Sequence, residues 1–207
     1  MKNRTLNIKN FVLPIFRYYL IKVGINFSKS YIYSTKLDNI DLKEPKIEDL
    51  TIKVCKIEDA ELFGKLKDEF SHYIQNGHIL IAAFLNEEWV GYAWISLKPV
   101  KVEELDRFIH FDGAYLWKGY VKKDFRNKGI AKGLLSFSFY IIKTIYKKNR
   151  AYTLVETSNI PSIRSLEGSK FSRIGTIKYD KIFLWRRYAE ELDDDTLSFL
   201  EEKPVVL

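Results

Sequence analysis

The sequence predicts an α/β protein built on a central mixed sheet of about six to seven strands, with helices on both faces. Three observations carry that expectation. Short alternating or wholly apolar runs recur from residue 51 onward, each closed by turn residues. Segments with helical spacing separate them, and the longest lies between two strand patterns, as a crossover between parallel neighbours requires. Hydrophobic residues make up 46% and aromatic residues 15% of the 207, enough for a packed core and too many for a disordered chain.

The elements follow in order. Residues 50–57 alternate and read as a strand with Ile52 and Val54 on one face. Residues 58–70 have helical spacing at Ala60, Phe63, Leu66 and Phe70. Residues 78–85 and 89–97 form a hairpin around a turn at Asn86, Glu87 and Glu88. AYLWKGYV, residues 114–121, is a fourth strand. A helix of about twenty residues starts near Arg126 or Asn127, with an apolar face of Leu134, Leu135, Phe137, Ile141, Ile142 and Ile145. Residues 151–158 form a fifth strand. A short helix follows with Pro161 in its first turn, and residues 171–189 supply two final strands.

The net charge of +7 is unevenly placed. Residues 1–36 hold seven basic side chains and no acid, and residues 118–150 hold ten against Asp124 alone. The end of the chain is acidic, from Glu190 and Glu191 to Glu202. This divides the chain into a basic N-terminal extension and linker (1–50), the regular domain (51–188) and an acidic C-terminal tail (189–207). The early apolar stretch, residues 11–27, is interrupted by Pro14, Arg17 and Lys22 and lacks a small-residue cleavage site, so neither a membrane span nor a signal peptide is expected. Its aromatic residues argue for order. A helix around residues 14–23 is expected to dock on the domain or on a second copy in a homodimer, in preference to lying on an anionic membrane. One cysteine, Cys55, excludes an internal disulfide and fits the cytoplasm. His72, His78 and His110 have no ligand spacing, so no metal is expected. Basic residues without an accompanying aromatic RNA motif do not make a nucleic-acid binder.

The stretch VKKDFRNKGIAKGLL, residues 121–135, poses a question of charge. A helix start is already electropositive, and Lys122, Lys123, Arg126, Lys128 and Lys132 worsen it unless an anion sits there. Gly129 and Ala131 let backbone approach a ligand, and free N–H groups at a helix start bind phosphate. No G-K-[S/T] follows, which argues against an ATP loop, and the glycine spacing is wrong for a dinucleotide fingerprint.

In this context, residues 51–188 resemble the GNAT superfamily of acyl-CoA-dependent N-acyltransferases, and bacterial members of it in particular. Arg126, Asn127, Lys128, Gly129, Ile130 and Ala131 match the pyrophosphate loop position by position. Val121 matches the strand residue whose backbone meets the pantetheine arm, and Gly119 and Tyr120 before it are assigned to the same cofactor site. Asn159 and Ser162 match the N-x-x-[A/S] after the fifth strand, although Asn159 also suits a helix cap. Phe171 to Gly175 stands at the family's GF-x-x-x-G, with Lys170 in place of the first glycine.

The resemblance implies a transferase that moves an acetyl group from acetyl-CoA to a primary amine, an amino sugar or another small-molecule acceptor. It also implies a base for the amine's proton and an acid for the leaving thiolate. Strand alternation puts Leu154 and Glu156 on one face, making Glu156 the candidate base. Tyr115, which shares a face with Trp117, is the second catalytic candidate. His110 and Asp112 are weaker. The family's acid is a tyrosine seven residues after the asparagine, where this chain has Leu166. That departure keeps open an alternative, a catalytically silent acyl-CoA-binding module.

Overall fold

The computed structural model describes residue 20, residues 25–38, 49–102 and 107–193. Leu20 is helical, and the rest of the helix expected around 14–23 lies outside the described residues, as does the acidic tail from residue 194.

Ten strands and three α-helices are described: β1 (Ile25–Lys36), β2 (Leu50–Cys55), α1 (Lys67–Gln75), β3 (Ile79–Leu85), β4 (Glu88–Ser96), β5 (Val100–Val102), β6 (Arg107–Ile109), β7 (Ala114–Val121), α2 (Ile130–Thr144), β8 (Arg150–Glu156), α3 (Ile160–Glu167), β9 (Ser172–Ile182) and β10 (Trp185–Leu192). A 3-10 segment, Ile57–Leu66, leads into α1 across a kink at Gly64. The expected helix of 58–70 is therefore shifted and broken.

Eight strands form one sheet in the order β10-β9-β1-β8-β7-β4-β3-β2, one or two more than the sequence suggested, and β5 and β6 pair antiparallel in a separate two-stranded sheet. The extra central strand is β1. It pairs antiparallel with β8 from Ser30↔Glu156 to Lys36↔Arg150, and with β9 on its other edge. Residues 25–36, read from the sequence as part of a basic extension, therefore lie inside the sheet. At the other end, Ala189–Leu192 of the expected tail pair with β9 as part of β10. The β3–β4 turn is tighter than expected, with Asn86 and Glu87 at φ 48° and 67°, the pair of left-handed residues that a two-residue hairpin needs.

Alternation divides the core between two faces. On β3, Ile81 and Ala83 join the cluster under α2, whereas Leu80, Ala82 and Phe84 join the one under α1. The α2 face holds Leu134, Phe137, Ile141 and Ile142 against Val90, Ile95, Leu116 and Val155. Each such buried side chain contributes about 1.5–3 kcal/mol of burial free energy. Ile145, expected on that face, follows the helix and is 59% exposed. On the opposite face, Phe70 packs against Trp94 and Phe63 against Phe70 and Trp89, while Ile109, Tyr115, Tyr152, Ile177 and Tyr179 form a second cluster toward β9. Trp117 packs against both.

Candidate active site

The strands β7 and β8 run parallel but pair only at Ala114↔Ala151 and Tyr115↔Tyr152. Beyond that row they part, and the remainder of β7 is bonded to β4 alone among the strands. A bulge sits on the parted stretch. Tyr92 pairs with Tyr120 and Trp94 with Trp117, so Ala93 faces both Lys118 and Gly119. Lys118 absorbs the extra residue at φ 46°.

The basic loop then leads into α2. Its start is later than the sequence suggested because Asn127 and Gly129 are left-handed, at φ 62° and 80°, which no helix accommodates. The result is a helix of 15 residues whose N-cap, Gly129, provides no side-chain acceptor. The first bond into the helix, from Gly133 N–H to the Gly129 carbonyl, leaves the N–H groups of Ile130, Ala131 and Lys132 without partners in the helix. A Cβ on Gly129 would meet nothing within 4 Å, so the space beside this backbone is open. Left-handed residues on either side of Lys128 are the backbone pattern of anion-binding concavities.

The side chains around the loop are held by β7 and its neighbours. Arg126 folds back so that its Nε donates to the Val121 carbonyl at 3.1 Å, with the guanidinium 5.9 Å from the Tyr120 ring. The Lys128 ammonium lies 5.1 Å from the Phe125 ring. Lys122 donates to Glu88 at 2.6 Å and sits 4.0 Å over Trp89.

On the far side of the gap, Asn159 caps α3, its Oδ1 accepting the Ser162 N–H at 3.3 Å. The capping role raised from the sequence is therefore realised. Glu156 ends β8, partly buried on the face it shares with Leu154, opposite Ser30 of β1. Tyr115 is 4% exposed and stacked on Phe111 at 5.5 Å, enclosed in the core by comparison with Trp117 beside it. Leu166 packs against the α2-side core.

Several groups that sequence reasoning passed over gather on the α1 side of the gap. Lys118 Nζ donates to Glu69 Oε1 at 2.7 Å and to Tyr73 Oη at 2.6 Å. Burial opposes the lysine's charge, but these two hydrogen bonds outweigh it and hold its pKa above the ordinary value. The same bond from Lys118 holds the Glu69 carboxyl below its ordinary range. His78 lies 5.1 Å from Trp117 and 6.0 Å from Tyr73, ring to ring. Its Nδ1 is 3.0 Å from Ser96 Oγ, and that hydroxyl spends its proton on the Lys98 carbonyl at 2.8 Å. The hydroxyl therefore accepts from Nδ1–H, which leaves Nε2 as the imidazole's basic nitrogen. Burial, then the nearby Lys98 and His72, push the His78 pKa down, so the ring is neutral at pH 7. Cys55 is a poor nucleophile by contrast: it is 5% exposed, and burial pushes its thiol up to about 12.

Among the described residues no group of His, Cys, Asp and Glu could hold a metal, and no helix is long and apolar enough to cross a membrane.

Comparison with known proteins bears on the family and the fold. A sequence model of the Acetyltransferase (GNAT) family matches residues 47–168. No curated protein matches the chain. Among solved structures, a GNAT-family putative acetyltransferase from Novosphingobium aromaticivorans aligns with TM-score 0.55 at 11% identity, over 76% of this chain and 65% of that one. A conserved Staphylococcus epidermidis protein of unknown function aligns with TM-score 0.52 at 10% identity, over 93% and 69%. A Drosophila protein aligns with TM-score 0.55 at 10% identity, over 89% and 58%. At such identities the likeness is one of fold, and the chain spans roughly two thirds or less of the length of two of these three structures. The matched segment runs from the linker before β2 through α3, taking in the parted strands and the uncapped start of α2. With more than half of its residues matched in this way, the chain belongs to the Acetyltransferase (GNAT) family.

Proposed function

We propose that the protein is an N-acyltransferase that moves an acetyl group from acetyl-CoA to the primary amine of a small molecule, an amino sugar among the acceptors to be tried. The observation that carries this reading is the divergence of β7 from β8 after Tyr115↔Tyr152, directly beside the open, uncapped start of α2. The residues present suit acyl-CoA. Main-chain N–H groups of Ile130, Ala131 and Lys132 would hold the pyrophosphate, with Arg126, Asn127 and Lys128 around it. The backbone of Gly119, Tyr120 and Val121 offers the free edge of a strand to an extended arm, once Arg126 releases the Val121 carbonyl. Asn159 and Ser162 border the gap from α3. When bound, acyl-CoA would supply the thioester carbon, at which a C–N bond forms as the C–S bond breaks.

The chain's own task is the proton. A free alkylamine, with a pKa near 10.4, is neutral on the order of one part in 10³ at pH 7. We propose Glu156 as the base, at the end of β8 where the strands have parted. The oriented, neutral imidazole of His78 is a second candidate, supported by its bond to Ser96. Tyr115 is too enclosed to reach an acceptor without movement of Phe111, so it ranks below both.

The second reading, an acyl-CoA-binding module without turnover, rests on Leu166, whose side chain packs against the core and has no acidic proton to give a leaving thiolate. Release of free CoA thiol from acetyl-CoA over a panel of amines decides between them. Release that depends on amine supports the transferase. A thermal shift with acetyl-CoA and no release under any amine supports the module. We place the protein in the cytoplasm, where its lone buried cysteine stays reduced.

A further inference from the structure

The ammonium of Lys118 is already seated as a bound amine would be. It donates one hydrogen bond to a carboxylate oxygen of Glu69 at 2.7 Å and another to the Tyr73 hydroxyl at 2.6 Å. The Tyr73 ring lies 4.6 Å from the nitrogen and the Trp117 ring 5.5 Å. Carboxylate, phenol and two π-faces together make up the chemistry that recognises an alkylammonium ion. The walls are stiff. Tyr73 packs on Trp94 at 5.3 Å and on Trp117 at 5.0 Å, and His78 packs edge-on to Trp117 at 5.1 Å. The cradle lies beside the gap, because Trp117 and Lys118 stand two and three residues past the last pair of β7 with β8, at Tyr115.

The occupant is held less firmly than the walls. Lys118 is the extra residue of the bulge, with a left-handed backbone that a lysine adopts only at a cost. Its side chain is 37% exposed and that of Glu69 is 44% exposed, and an ion pair at such exposure is weak. A flexible four-carbon stem lets the ammonium leave without moving the strand.

We propose that this cradle is the acceptor-amine subsite, that Lys118 stands in it as an internal competitor, and that the acceptor is an unbranched primary alkylamine of the form RCH2NH3+. The inference rests on the acyltransferase reading for the word acceptor, but the cradle's affinity for amines does not. The selectivity follows from the stand-in: the nitrogen that donates to Glu69 and Tyr73 is carried on the unbranched methylene of Lys118, whereas a ring carbon bearing hydroxyls is wider.

The test is a titration of the full chain with n-butylammonium chloride, read by tryptophan fluorescence with no acyl donor present and potassium chloride as the ionic control. Lys118→Gly empties the cradle and keeps the bulge, since glycine accepts the left-handed backbone. This variant is expected to bind n-butylammonium at least tenfold more tightly than the unaltered chain, to lose that gain when Glu69→Gln is added, and to bind glucosamine at least tenfold more weakly. Equal binding by Lys118→Gly and the unaltered chain, or a gain that survives Glu69→Gln, would overturn the subsite. Glucosamine binding as tight as n-butylammonium would overturn the alkylamine assignment. Failure of thiol release in the turnover assay, with the fluorescence results as expected, would instead count against the transferase reading alone. Lys118→Arg guards against a folding artefact: it keeps a cation in place and should bind no better than the unaltered chain, with an unchanged melting temperature.

Discussion

Gly91 of β4 lies directly opposite Val121 of β7, and a Cβ on Gly91 would come within 2.9 Å of the Tyr120 carbonyl oxygen. It would also press on Leu134 of α2 at 3.2 Å and on Val121 at 3.3 Å. One hydrogen atom's worth of space thus lets the strand bearing the candidate cofactor edge lie tightly between its neighbour and the crossover helix. Gly91→Ala is expected to destabilise the fold by about 1–3 kcal/mol through overpacking. Urea unfolding measures this, and an alanine variant as stable as the unaltered chain would show that the contact yields easily.

Gly129 poses the opposite case, a glycine with open space and a demanding backbone. At φ 80° a β-branched residue costs about 1–2 kcal/mol locally, and its side chain would fill the space beside the helix start. Gly129→Val is expected to weaken acetyl-CoA binding tenfold or more while the sheet stays folded. Lys128→Ala should cost much less, because an exposed charge contributes only about 0–1 kcal/mol. Calorimetric titration of both variants checks the pair. Equal losses would move the phosphate contact from main chain to side chain.

Much of this was legible in the sequence because it is local. The strand before the loop, the small residues Gly129 and Ala131 and the helix that follows occupy consecutive residues, and the apolar spacing of Leu134, Phe137 and Ile141 declares the buried face of α2. Two things were not legible. The strand β1 buries Asn26, Ser28, Ser30 and Ser34 on alternate positions, and small polar residues there read as loop where apolar ones would have read as strand. The cradle brings together Glu69 and Lys118, 49 positions apart, through a bulge that no local pattern marks. Its only sequence signal was a lysine inside an aromatic strand.

The two candidate bases differ in a measurable way. Burial lowers the His78 pKa below the ordinary imidazole value of about 6.5. If His78 takes the proton, turnover should fall only below about pH 6.5, and His78→Gln should remove that acidic limb along with roughly 10²–10⁴ of kcat. If Glu156 takes it, Glu156→Gln should produce that loss and His78→Gln should not. The same shift has a stability consequence of fixed sign. A lowered folded-state pKa favours the neutral ring, so the contribution of His78 is present above the unfolded value and is lost as pH falls through the folded one. Melting temperature followed from pH 7 to pH 5 should therefore drop less in His78→Gln than in the unaltered chain.

The position of β1 changes what can be asked of the N-terminal segment. A chain beginning at residue 37 lacks the strand that joins β8 to β9, and both would be left with open edges in the middle of the sheet. Ile32 and Tyr33, each almost wholly buried, would go with it. Such a truncation is expected to aggregate or to fail to fold, whatever residues 1–23 do. A chain beginning at residue 24 keeps β1 and is the one to compare with the full sequence for docking, self-association or vesicle binding. If the chain from residue 24 is stable and the chain from residue 37 is not, the strand is essential to the domain. If both melt together with the full chain, β1 contributes nothing to stability and its central place in the sheet is wrong. Far-ultraviolet circular dichroism and thermal denaturation of the three chains give the answer before any binding assay is attempted.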